Sequence, residues 1–152
     1  MAPLHAKPAI IAHRGACGYL PEHTLQGVAL AHQQGAHFIE QDVVLTKDGV
    51  PVVLHDISLE LTTNVSVRYP ERRRSDGKFY CSDFMLDEIK TLTAHERTDE
   101  EGNRVFPGRH AGPFDDFKVP TLGEELALID SLNASGRHKA GVYIELKQPE
   151  YH

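Results

Sequence analysis

Apolar residues come in short runs along this chain, and each run ends on a charged or imidazole side chain. Ala9-Ile10-Ile11-Ala12 stops at His13-Arg14-Gly15, the pattern of a strand buried on both faces that empties into a loop. After Gly18 and Pro21, the positions Leu25, Val28, Ala29 and His32 keep a helical spacing up to Gly35, which suits a C-cap. Ala36 to Val43 reads as the next strand. The resulting strand-helix-strand unit is the building block of a parallel sheet. Val43-Val44-Leu45-Thr46 and Val50-Pro51-Val52-Val53-Leu54 flank Lys47-Asp48-Gly49, which predicts a hairpin with Pro51 at its edge.

From residue 57 to residue 118 the pattern changes. The segment is rich in charge, includes Arg72-Arg73-Arg74, and offers one helical patch at Leu86, Ile89 and Leu92. It reads as an insertion with little core of its own. Regularity returns where Thr121 and Glu124 have capping-box spacing and Leu122, Leu126 and Ile129 mark a helix face. That helix ends between Asn133 and Gly136, and Gly141 to Lys147 forms a last strand. The fold class is therefore α/β, with parallel strands at 9–13, 38–43 and 141–147. Three parallel strands do not cover both of their faces or protect their edges, so the sheet is expected to be incomplete just after the third strand.

The strands carry unusual chemistry. Glu40 and Asp42 stand two apart on one strand, so their side chains share a face at roughly 7 Å spacing. Glu145 and Lys147 repeat the arrangement on the last strand. Acidic groups among apolar residues are expensive unless paired or metal-bound, which leaves two readings: structural salt bridges, or a cation held by oxygen ligands. The second would select a hard ion such as Ca²⁺ or Mg²⁺. Ten histidines raise the question of zinc, but none forms the H-E-x-x-H helix pair. His5, His95, His110 and His138 read as solvated, and His23, His32 and His37 as surface or packing residues. His13 and His55 differ because each ends an apolar strand run, where a parallel barrel places its chemistry. Two such histidines beside carboxylates form a candidate acid–base pair. Arg14 could fork onto phosphate, or pair with Glu22 or Glu40. The arginine triplet reads as a solvated charge run.

Composition narrows the function classes. Sixteen Lys and Arg against 22 Asp and Glu leave a formal charge of −6, which argues against nucleic acid as a partner. No apolar run approaches the roughly 18 residues of a membrane span. The N-terminus lacks the basic start and apolar stretch of a secretory signal. Cys17 and Cys81 make neither a disulfide framework nor a C-x-x-C motif; one bridge or two free thiols both remain open.

Taken together, Ile11-Ala12-His13-Arg14-Gly15, Pro21-Glu22-His23-Thr24, Glu40-Gln41-Asp42, Leu54-His55-Asp56 and Glu145-Leu146-Lys147 resemble the glycerophosphodiester phosphodiesterase family, in its longer form with an insertion after the second barrel strand. The resemblance implies a TIM-type (β/α)8 barrel that hydrolyses glycerophosphodiesters such as glycerophosphocholine to glycerol 3-phosphate and an alcohol. It further implies that Glu40, Asp42 and Glu145 hold one divalent cation, Ca²⁺ or Mg²⁺. His13 and His55 would be the acid–base pair, and Arg14 and Lys147 would bind the substrate phosphate. In the family's scheme the glycerol 2-hydroxyl attacks phosphorus to give a cyclic phosphate that water opens. His23 stands where many members carry Asn, a departure expected to leave the metal site untouched. The longer family form is periplasmic. Such barrels run to about 250 residues, so residues 1–152 are expected to be the N-terminal part of one, with 57–118 as an insertion. Two alternatives stay open: a noncatalytic binding domain that keeps the strand-end residues, and a sphingomyelinase D-like phospholipase.

Overall fold

The computed structural model describes residues 8–136 and 138–151. One sheet joins β1 (Ile11–Ala12), β2 (Phe38–Leu45), β3 (Pro51–Val53) and β4 (Gly141–Leu146), and β2 is its hub. β4 pairs with β2 in parallel over six positions, from Phe38 opposite Gly141 to Val43 opposite Leu146. On the other edge of β2, β1 is parallel at Phe38 and Ile39, and β3 is antiparallel from Val43 to Leu45. One short strand thus leaves that edge before the next arrives. β1 is shorter than the 9–13 span that its apolar run predicts. Arg14 and Gly15, at φ 58° and 74°, turn the chain off the edge.

The two main helices form as their boundary residues predict. In α1 (Leu25–Gln33) the Thr24 hydroxyl accepts from Gly27 N at 3.2 Å, and Gly35 takes φ 84° just past the end. In α4 (Leu122–Ser135) Thr121 Oγ1 accepts from Glu124 N and the Glu124 carboxylate accepts from Thr121 N, which completes the capping box. Both helices lie on one face of β2 and share a core of Ala16, Val28, Ala31, Ala36, Ile39, Ile129 and Ala140. The buried face of α4 differs from the predicted one: Leu126 is exposed and Glu125 is fully buried. Gln41, on the same face of β2 as Ile39, gives Glu125 a polar neighbour, and burial pushes the Glu125 carboxyl up to about 8, so it is protonated at neutral pH.

The 57–118 segment departs most from expectation. Leu59, Val65, Phe79, Cys81, Phe84, Ile89 and Leu92 are buried there and join Val44, Val52, Leu54 and Val119 in the larger of the two cores. α3 (Leu86–Lys90) forms at the one helical patch that the sequence shows, but α2 (Val65–Arg68) is a single turn and the other core residues arrive from separate turns, so they leave no periodic signature. In the arginine triplet Arg73 and Arg74 are exposed, as a solvated run would be, but the side chains also meet aromatic rings. Arg72, Arg73 and Arg74 lie over the rings of Phe84, Phe79 and Tyr80 at 4.6, 5.3 and 4.3 Å, and Arg72 and Arg74 pair with Glu88 and Asp83. Cys17 and Cys81 are both free thiols. Among the described residues no helix is long and apolar enough to cross a membrane.

Candidate metal and phosphate site

The site forms where β2 changes partners. Between the end of β1 and the start of β3, the Arg14 main-chain N–H donates to Glu40 Oε2 at 2.6 Å, and Leu54 N donates to the Asp42 carbonyl at 3.0 Å. Arg14 and His23 are non-glycine residues with φ of 58° and 53°, conformations that cost on the order of 1–3 kcal/mol each and persist where surrounding contacts enforce them. Gly15 could not be replaced easily. A Cβ there would stand 3.1 Å from the Gly27 carbonyl carbon in α1.

Glu40 and Asp42 share the face of β2 opposite the helices, and both are buried. His23 reaches them from the loop before α1, with Nε2 2.8 Å from Asp42 Oδ2. His23, Glu40 and Asp42 each offer a ligand atom within 4.8 Å of the others. Of the surface and packing roles expected for His23, the surface one is excluded, and its departure from Asn does bear on the carboxylates, where the metal site was expected to be untouched. Because its motif position precedes a helix cap, its sequence context gives no sign that the ring turns back toward β2. His32, by contrast, packs with its Nε2 3.1 Å from Asn133 Oδ1, and His37 is exposed, its Nδ1 accepting from Ile10 N.

Burial, opposed by the Arg14 N–H and reinforced by the neighbouring Asp42 charge, pushes Glu40 up to about 7. Burial would raise Asp42 too. The His23 hydrogen bond and the positive charge of Lys147 outweigh it and hold Asp42 below the usual carboxylate range. Burial keeps His23 below the ordinary imidazole value despite Asp42. A neutral His23 ring donating Nε2–H to an ionised Asp42 satisfies these directions, and it leaves His23 Nδ1 buried without a hydrogen-bond partner. Two buried carboxylates whose charges resist coexistence are the donor chemistry that a hard divalent cation relieves.

The remaining candidates from the sequence divide. Glu145 lies opposite Asp42 in the ladder, yet its side chain is 54% exposed and its Oε1 accepts from Lys147 Nζ at 2.6 Å. Lys147 Nζ is also 3.5 Å from Asp42 Oδ1, so the lysine spans both carboxylates. The Arg14 guanidinium takes the Glu22 pairing, through Nη1 at 3.2 Å, with Nε 3.5 Å from Asp42 Oδ2, while Glu40 is met by its main-chain N–H. His13 is exposed at the end of β1. His55 is partly buried, its Nδ1 2.8 Å from Asp56 Oδ1.

A residue that sequence reasoning missed ties these loops together. Arg97, from the 57–118 segment, donates Nε and Nη2 to the Glu22 carboxylate at 3.1 and 2.6 Å and Nη1 to Asp56 Oδ2 at 2.6 Å. Burial raises both carboxyls in principle. For Asp56, hydrogen bonds from His55 and Arg97 win and hold it down to about 2; for Glu22, Arg97 and then Arg14 hold it below its ordinary value. In the sequence Arg97 is one charge within a polar stretch, and only the fold puts it beside the strand ends.

Comparison with known proteins places this geometry. A family model for the glycerophosphoryl diester phosphodiesterase family matches residues 13–152. The chain is 42% identical over 146 residues to a Haemophilus influenzae glycerophosphodiester phosphodiesterase and 39% identical over 146 residues to one from Treponema pallidum, in each case covering 94% of this chain. It spans 40% and 41% of the lengths of those relatives. Among solved structures, it superposes with a TM-score of 0.65 at 34% identity on a glycerophosphodiester phosphodiesterase from Agrobacterium tumefaciens, covering 92% of this chain and 47% of that one. It superposes with a TM-score of 0.64 at 33% identity on an Oleispira antarctica phosphodiesterase in complex with the product sn-glycerol-3-phosphate, covering 92% and 44%. The α/β fold class, with its parallel strands, is that of a partial TIM-type barrel. By motif, fold and relatives alike, this chain belongs to the glycerophosphoryl diester phosphodiesterase family.

Proposed function

We propose that the chain supplies the metal- and phosphate-binding end of an active site that hydrolyses glycerophosphodiesters, glycerophosphocholine among them, to glycerol 3-phosphate and an alcohol. The observation that carries this reading is the buried Glu40–Asp42–His23 cluster at the strand ends of a family member. The product bound by the Oleispira antarctica relative supports the same substrate class. In this reading 57–118 is an insertion within the barrel domain. Glu40, Asp42 and Glu145 hold one Ca²⁺ or Mg²⁺, with His23 beside them. When bound, such an ion neutralises phosphoryl charge and orients the diester.

The chain's own residues supply the rest. Asp56 is ionised and can only accept, so the neutral His55 ring carries its proton on Nδ1 and presents the Nε2 lone pair. His55 therefore takes a proton through Nε2, and His13, exposed at the end of β1, is its partner in moving protons to and from the diester oxygens. Arg14 and Lys147 carry their charges to the same strand ends and bind the phosphate. The test is release of glycerol 3-phosphate from glycerophosphocholine by the complete natural polypeptide that carries this sequence, with Ca²⁺, Mg²⁺ or chelator, beside lysophosphatidylcholine and sphingomyelin. Chelator-sensitive release from glycerophosphocholine is expected. Cleavage of the lipids alone, or of no substrate, overturns the reading.

A further inference from the structure

We propose that Arg97 is a positioning residue, a guanidinium clamp by which the 57–118 segment holds the His55 loop and the Arg14 loop in working register. The proposal rests on the catalytic reading of His55 and Arg14 given above. Its geometry uses both edges of one planar group. Nε and Nη2 grip both oxygens of Glu22, whose carboxylate also accepts from Arg14 Nη1, while Nη1 holds Asp56 Oδ2. Asp56 in turn uses its other oxygen for His55 Nδ1. A single chain of charge-assisted bonds thus runs from Arg14 through Glu22, Arg97 and Asp56 to His55. Such a fork fits carboxylates in a plane that a lysine ammonium cannot match.

The clamp is itself held firmly. Arg97 is largely buried, at 14% side-chain exposure. Its neighbours are laced by main-chain bonds from His95 N to Thr62 O and from Thr98 N to Leu61 O, both 2.8 Å, and Val105 N reaches Arg97 O at 3.0 Å. That lacing continues into the larger core, so the apolar packing of the segment becomes rigidity at Asp56. Each carboxylate that Arg97 holds is shared with a residue given a role in the proposed chemistry, Glu22 with Arg14 and Asp56 with His55.

The experiment compares Arg97→Met, Arg97→Lys, Asp56→Asn and the Arg97→Met/Asp56→Asn double variant in the complete natural polypeptide, with denaturant unfolding as a control for folding. Misplacing a reacting group by about 1 Å costs on the order of 10²-fold in rate, so Arg97→Met should lower kcat for glycerophosphocholine by about that much while KM changes only a few-fold. Arg97→Lys should recover only part of the loss, and the double variant should be no slower than the slower single one. Additive losses, or a kcat within about threefold of the parent in a folded Arg97→Met protein, overturn the clamp. Should the parent release no glycerol 3-phosphate, the catalytic reading fails by itself, and the clamp is then judged from the ring signals of ¹³C-labelled His55 in the same variants. A displaced His55 signal in Arg97→Met supports it, and an unmoved one overturns it.

Discussion

β2 and β4 are neighbours in parallel register over six positions, yet they live in different environments. In β2, Ile39 to Val44 are buried without a break, whereas in β4 every residue from Val142 to Leu146 is exposed, Leu146 at 67%. Both sequences are apolar with acidic interruptions, so intrinsic preference does not separate them. The difference is what lies on either side. β2 has strands on both edges, α1 and α4 on one face and the 57–118 core on the other, while among the described residues β4 pairs with β2 alone. The candidate site inherits this asymmetry: Glu40 and Asp42 are fixed by burial and by named partners, and Glu145 and Lys147 hold chiefly to each other and to Asp42.

The sharpest way to test that asymmetry is to remove the carboxylates one at a time. Glu40→Gln and Asp42→Asn should abolish metal-dependent turnover and calorimetric Ca²⁺ binding while leaving circular dichroism nearly unchanged. Glu145→Gln should weaken the same binding less. Equal losses at all three positions would mean that β4 is as fixed in solution as β2.

Next in size is packing. Ile39 is fully buried between β2 and the helices, so Ile39→Ala should cost about 2–5 kcal/mol in denaturant unfolding. Ile144 lies two ladder positions further along on β4, opposite Gln41, and is 43% exposed; Ile144→Ala should cost only about 0.5 kcal/mol. A large loss at Ile144 would show that β4 is covered in solution.

A smaller effect separates the two faces of β2 by pH. Glu40 on one face and Glu125 on the other are raised in the fold to about 7 and about 8, in both cases first by burial. A carboxyl whose folded value lies above its unfolded value near 4.5 binds more protons when folded. Metal-free stability should therefore fall as pH rises from about 4.5 to 8. Ca²⁺ or Mg²⁺ should flatten the part due to Glu40, and Glu125→Gln the part due to Glu125. A pH response that the cation leaves unchanged would remove Glu40 from the ion's ligands.

The smallest effect concerns the exposed strand itself. Val142, Ile144 and Leu146 are exposed apolar side chains on a strand that, among the described residues, pairs on one edge, an arrangement that favours pairing with other chains. Leu146→Lys should reduce concentration-dependent association in sedimentation with little change in unfolding. No change in association would mean that this strand is not what brings chains together.

Much of the molecule could be read from local chemistry. The Thr24 and Thr121 caps, the glycine after α1, the turn at Lys47-Asp48-Gly49 and the placing of Glu40 and Asp42 on one face follow from interactions within a few residues, which any chain with these side chains would make. The departures are all long-range. Glu125, and not Leu126, faces inward, beside Gln41 of β2. The arginine triplet, exposed at Arg73 and Arg74, meets the rings of Phe79, Tyr80 and Phe84.

By itself the sequence determined the strand-helix-strand order, the strand ends at which the chemistry collects, and the family, since periodicity, capping and motif order are written along the chain. Only the tertiary structure decided that His23 turns onto Asp42, that Arg97 closes on Glu22 and Asp56 across 75 and 41 residues, and that the 57–118 segment builds the larger core. These are meetings of groups distant in sequence. Their favourable energy comes from apolar burial and from charge-assisted bonds that offset the cost of taking several charges out of water, and no window of neighbouring residues contains that information.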